Sequence, residues 1–180
     1  HVVLGGWLDK AEGVVFSNWE IGEFKNVSTS VFGQDYGFSI DPTTLIEVNT
    51  DKKNKILYVK EHLYKKHLVT SEIYHYNKQY ANNSLIIADG AEGRLIDELK
   101  NLGLNIRKVN KPQIIERIVL MQDWKIIVDP NSTNIIKELN NYVWHDKKSN
   151  TPIDNYNHAL DAIGYVMWDL YGKKTFKNKF

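Results

Sequence analysis

Leu85-Ile86-Ile87-Ala88-Asp89-Gly90-Ala91-Glu92 is the stretch on which the fold class turns. Its apolar run has the length of a buried strand, ends on an acid, and gives way to Leu95, Ile96, Leu99 and Leu102 at helical spacing. A strand that hands over to a helix implies helices packed on a sheet. The alternation continues downstream, with a strand at Ile106 to Val109, a helix over about Gln113 to Gln122, a strand at Ile126 to Val128, a helix from about Ser132 to Asn140 and a final helix from about Asp154 to Tyr171. Upstream, Thr70 to Tyr80 carries Ile73, Tyr76 and Tyr80 at helical spacing. Before it lie Ser30 to Phe38, Thr43 to Val48 and Ile56 to His62, rich in β-branched and aromatic residues and separated by the turn formers Asp41-Pro42 and Asp51-Lys52-Lys53-Asn54. These three predict an antiparallel meander. The fold class expected is α/β, a mixed β-sheet flanked by helices.

A chain of 180 residues without repeats or long linkers reads as one domain, 1–180, able to bury its own core. No apolar run approaches the roughly 20 residues that span a bilayer, so no membrane partner is expected. With no cysteine, a metal site would have to use oxygen and imidazole. The amino end, His1-Val2-Val3-Leu4-Gly5-Gly6, lacks the basic and apolar regions of a signal peptide and reads as the start of an excised fragment. The net charge of +1 is too small for a strongly basic nucleic-acid binder, which leaves local clusters: Lys52-Lys53, Lys65-Lys66, Lys108 with Lys111, Lys147-Lys148, and the tail lysines 173, 174, 177 and 179.

Chemistry concentrates at predicted strand ends. Asp35 lies in Phe32-Gly33-Gln34-Asp35-Tyr36-Gly37, flanked by Val31, Phe32, Tyr36 and Phe38, where a carboxylate is costly unless paired or metal-bound. Gly37 leaves room there for a backbone or a ligand. Asp89 closes its own strand, and in open α/β sheets the functional crevice lies beyond the carboxyl ends of strands. On the final helix, His158 and Asp161 share one face. Each has a bland reading: Asp89 as a helix cap, and His158 with Asp161 as a polar pair on an amphipathic helix whose core stripe is Ala159, Leu160, Ile163, Met167 and Leu170. Asp154, after Pro152, reads as that helix's N-cap. Together, three carboxylates and an imidazole suit a divalent metal site, and two ions about 4 Å apart would serve phosphodiester cleavage. No phosphate-binding loop, zinc-protease helix or serine-hydrolase elbow is present: Gly172-Lys173-Lys174-Thr175 lacks the earlier glycine.

In their order, these segments resemble the carboxyl-terminal nuclease domain of the large terminase subunit of tailed bacteriophages. Trp7 with Gly13-Val14-Val15-Phe16 is similar to that family's opening segment, and Gln34-Asp35-Tyr36-Gly37-Phe38 with Asp41-Pro42-Thr43 to its first acidic motif. Ala88-Asp89-Gly90-Ala91-Glu92 resembles the second, and Asn157-His158-Ala159-Leu160-Asp161-Ala162 with Tyr165 the third. The resemblance implies an RNase H-like fold and a metal-dependent endonuclease that cuts concatemeric viral DNA as packaging begins and ends. It makes Asp35, Asp89 and Asp161 metal-binding carboxylates, with His158 as a further ligand or a neighbour of one, around two Mg²⁺ or Mn²⁺ ions. The implied partners are double-stranded DNA and, in the full-length protein, portal and small terminase subunit, in the host cytoplasm. That family's ATPase motor domain has no counterpart here. Gly90 and Gly93 stand where serine and proline are common, which leaves the part of Glu92 open, as that of Asp41 is. Other readings are a Holliday-junction resolvase, an RNA–DNA hybrid nuclease, or a non-catalytic module that docks on DNA or portal.

Overall fold

Strand-length apolar runs and helical periods settle into a single mixed sheet in the computed structural model, which describes residues 13–110 and 112–172. In chain order the elements are Trp19–Ile21 (β1), Val31–Gln34 (β2), Thr43–Asp51 (β3), Ile56–Lys65 (β4), Thr70–Tyr80 (α1), Ile86–Asp89 (β5), Gly93–Asn101 (α2), Ile106–Val109 (β6), Ile114–Gln122 (α3), Lys125–Val128 (β7), Thr133–Asn141 (α4) and His158–Met167 (α5). Among the described residues the sheet runs β1-β7-β4-β3-β2-β5-β6. The expected meander is present, with β2, β3 and β4 antiparallel. Parallel neighbours β5 on β2 and β7 on β4 extend it to either side. Strand β1 was not expected, because three residues are too few to show an alternation. Trp7, Lys111 and the lysines from 173 onward lie outside the described residues.

Each face of the sheet carries its own apolar layer. Ile86 and Ala88 of β5 pack with Ile73 of α1 and with Ile96 and Leu99 of α2, while Ile87 points to the other side, into the cluster built from α3, α4 and α5. Covering both faces explains why β5 is apolar at consecutive positions. The β3–β4 register slips between Leu45 and Ile46, a bulge that leaves His62 as the extra residue on β4.

The last helix differs from the expected amphipathic one. Every residue of α5 from Ala162 to Met167 is buried, as are Ala159 and Leu160, so it is a central helix and not a surface one. It also begins at His158, with Asn157 and not Asp154 in the N-cap position, and ends in a single π-helical stretch, Trp168–Gly172. Its first N–H groups are served from elsewhere: the carboxylate of Glu138 accepts from Ala159 N at 2.9 Å and Leu160 N at 3.0 Å. With that distant acceptor supplied by α4, no local cap is needed. Gly33 allows α5 to lie directly on β2, since a Cβ there would collide with the carbonyl of Ala162.

Candidate active site

Strand register creates the site. Gln34 pairs with Ala88 across the parallel strands β2 and β5, so the next residue on each, Asp35 and Asp89, emerges side by side at the carboxyl ends. The chain leaves β2 there because threonine hydroxyls take over the N–H groups of Asp35 and Gly37, with one backbone bond remaining. Asp35 N donates to Thr44 Oγ1 at 3.1 Å, Gly37 N donates to Thr43 Oγ1 at 3.1 Å, and Thr44 N donates to Asp35 O at 2.9 Å. Strand β2 therefore stops at Gln34 and not at Phe38. Gly37 is required for the turn, because a Cβ there would strike the backbone of Asp41 and Pro42. Behind Asp35, the buried amides of Gln34 and Asn77 exchange two 2.8 Å hydrogen bonds and lock α1 to β2.

Helix α5 delivers the remaining groups. The Tyr165 hydroxyl reaches both carboxylates, at 3.3 Å from Asp35 Oδ1 and 3.5 Å from Asp89 Oδ2. Burial, then the charges of Asp35, Asp161 and Asp89, push the phenol pKa far up, so it stays a donor. His158 sits between two acids, its Nδ1 3.5 Å from Asp35 Oδ2 and its Nε2 3.5 Å from Asp41 Oδ1. The hydrogen bond with Asp35 raises the imidazole pKa, against the effect of burial. Asp161 turns elsewhere, its Oδ1 3.2 Å from Arg117 Nη1. Asp89 also performs its bland role, accepting from Ala91 N at 3.0 Å to cap the 3-10 turn Gly90–Glu92.

Of the four expected residues, Asp35, Asp89 and His158 are thus joined directly or through the Tyr165 hydroxyl, and Asp161 is held one helical turn away by an arginine. As they stand, no three histidine or acidic groups among the described residues converge closely enough to ligate one ion. The donor set nonetheless suits a hard divalent cation, with two carboxylates at adjacent strand ends and the charge of Glu92 felt at the buried Tyr36 phenol beside them. Two residues were not anticipated: Arg117 and Glu138. Both left a signal, since Arg117 interrupts the apolar face of Ile114, Ile118 and Met121, and Glu138 that of Ile135 and Leu139. A charge on a core-facing helical stripe calls for a buried partner.

Comparison with known proteins places this geometry. Residues 35–169 match the family model described as Terminase RNAseH like domain. The large terminase subunit of Bacillus phage SPP1 is 32% identical over 170 residues, covering 88% of this chain and 39% of that protein, so the chain spans well under half of that relative's length. The crystal structure of the SPP1 large terminase nuclease domain with bound Mn superposes with a TM-score of 0.76 at 25% identity, covering 87% of this chain and 98% of that one. The P22 large terminase nuclease domain gives 0.71 at 16% identity, covering 89% and 94%. The RNase H-like fold is therefore that of terminase nuclease domains.

Proposed function

Because this chain belongs to the terminase RNase H-like domain family, we propose that residues 1–180 form one nuclease domain of a phage large terminase subunit, a metal-dependent endonuclease that cuts concatemeric viral DNA during packaging. One observation carries the reading: Asp35 and Asp89 stand together at adjacent strand ends under one phenol donor. The Mn in the SPP1 nuclease structure supports divalent metal use here. Asp35 and Asp89 would hold the cation, with Asp161 and His158 able to complete its surroundings. Divalent ions there would supply Lewis-acid stabilisation of charge on the scissile phosphate, with two ions the arrangement proposed.

The chain's own groups do the rest. Tyr165 fixes the spacing of the two carboxylates, and the 37–43 turn, braced by Thr43 and Thr44, holds Asp35 rigidly. His158 bonds Asp35 and lies beside Asp41, where a proton on its ring could be given to a phosphate oxygen. To ligate a cation it would first have to release that proton. Duplex DNA is the substrate proposed, with portal and small subunit as partners of the longer protein in the host cytoplasm. No described helix is long and apolar enough to cross a membrane.

Cleavage of supercoiled plasmid with and without Mn²⁺ tests the proposal. Wild-type protein is expected to nick only with the metal, and Asp35→Asn and Asp89→Asn are each expected to lose at least about 100-fold in rate, several kcal/mol of charge stabilisation being removed. Asn still caps at position 89, so folding should persist. Wild-type rates in either variant would refute the assignment.

A further inference from the structure

Arg117 is 4% exposed and lies on the face of α3 that packs against α5. Its stem passes over Gly164, where a Cβ would stand 3.4 Å from its Cδ, so that contact has no side chain in the way. One nitrogen meets Asp161 at 3.2 Å, the guanidinium carbon sits 5.0 Å from the Tyr165 ring centroid, and Nε is buried without a hydrogen-bond partner. A buried guanidinium with an unmet donor is a poor way to stabilise a helix interface, since a methionine would fill the same space without desolvating a charge. Its position explains its presence. It touches the third carboxylate directly, and it touches the phenol that bonds the other two.

We propose that Arg117 is a resident counter-ion of the site: it holds Asp161 while no divalent cation is bound and gives up part of that contact when one binds. It thereby sets the cation concentration at which the nuclease becomes competent. This rests on the reading that Asp161 belongs to the metal site. The guanidinium neutralises Asp161, whose charge acts on the same Tyr165 phenol as those of Asp35 and Asp89, and its own charge opposes an incoming cation. Arg117 is therefore a positioning residue, acting on the reaction through Asp161.

Calorimetric titration of Mn²⁺ into the DNA-free protein tests this, on wild type, Arg117→Gln, Arg117→Lys, Asp161→Asn and the Arg117→Gln/Asp161→Asn double variant, each checked for folding by circular dichroism. Arg117→Gln should bind Mn²⁺ about tenfold more tightly, while Arg117→Lys, which keeps the charge, stays within about threefold of wild type. In the Asp161→Asn background the effect of Arg117→Gln should shrink, because the contact it relieves is gone. Should Arg117→Gln not fold, Arg117→Met keeps the stem packed and carries the same expectation. The Mn²⁺ midpoint of plasmid cleavage should shift with the binding constant, whereas a purely structural arginine would lower the plateau rate and leave the midpoint in place. Mn²⁺ affinity that needs Asp161 yet is unmoved by loss of Arg117 would overturn the inference alone. No Mn²⁺ binding by wild type, or binding indifferent to Asp161, would overturn the metal-site reading and this inference with it.

Discussion

Glu47 shows how a single carboxylate ties the meander together. Its Oε1 lies 2.8 Å from His62 Nε2, the bulged residue of β4, and its Oε2 accepts from Ser30 Oγ at 2.6 Å. The bond to His62, followed by that to Ser30 once burial is overcome, lowers its pKa below that of an ordinary glutamate. A carboxylate whose folded pKa is depressed adds stability above its unfolded value, near pH 4.5, and loses it as pH falls through the folded value. Glu47→Gln should accordingly be less stable than wild type by about 1 kcal/mol at pH 7, with the gap closing as pH falls below the ordinary value of 4.5 and through the lowered folded one. Urea unfolding at neutral pH and below the folded value checks this, and an equal gap at both would contradict it. At this scale the strand-end acids were legible, because a carboxylate that ends an apolar run is conspicuous. The partners were not: no sequence pattern announces that Arg117 will meet Asp161 or that His158 will face Asp41, since those contacts exist only once α3, α5 and the 35–42 turn are packed together.

Helix α5 carries His158, Asp161 and Tyr165, and its placement rests on Glu138. That side chain, 1% exposed, also accepts from the Tyr64 hydroxyl at 2.7 Å. Burial raises its pKa despite the three donors, so the carboxylate is costly to keep charged and valuable mainly for what it satisfies. Glu138→Ala should destabilise the fold by about 3 kcal/mol or more, because it strands the first N–H groups of a buried helix and a phenol. Glu138→Gln, which keeps one acceptor oxygen, should lose less, and chemical denaturation orders the two. Equal stability of Glu138→Ala and wild type would show that α5 is fixed by packing alone. Helix periods and strand runs predicted most elements to within a few residues. The start of α5 was misplaced because its cap comes from another helix, so the local Asp154-Asn155-Tyr156-Asn157 carries no decisive signal.

Across the whole molecule, the sheet register sorts the lysines. Thr43 pairs with Lys65 and Ala88 with Lys108, which puts Lys65-Lys66 and Lys108 at the end of the sheet that holds Asp35 and Asp89. Lys52 and Lys53 lie in the β3–β4 turn at the opposite end. On the proposed function, DNA held for cleavage would pass the first group and not the second. Lys66→Ala with Lys108→Ala should weaken binding of a random duplex and reduce the slope of log affinity against log salt by roughly 2, about one per lost phosphate contact. Lys52→Ala with Lys53→Ala should leave both unchanged, and fluorescence anisotropy in an Asp89→Asn background reads each. A +1 net charge told only that binding would be local and salt-sensitive; which lysines matter depends on strand order, which composition does not contain. The proposed nuclease function requires the strand-end pair to hold the catalytic cation. Anomalous diffraction at the manganese edge, from crystals soaked in Mn²⁺, should show density within bonding distance of carboxylate oxygens of both Asp35 and Asp89; ordered manganese found only elsewhere would refute that assignment.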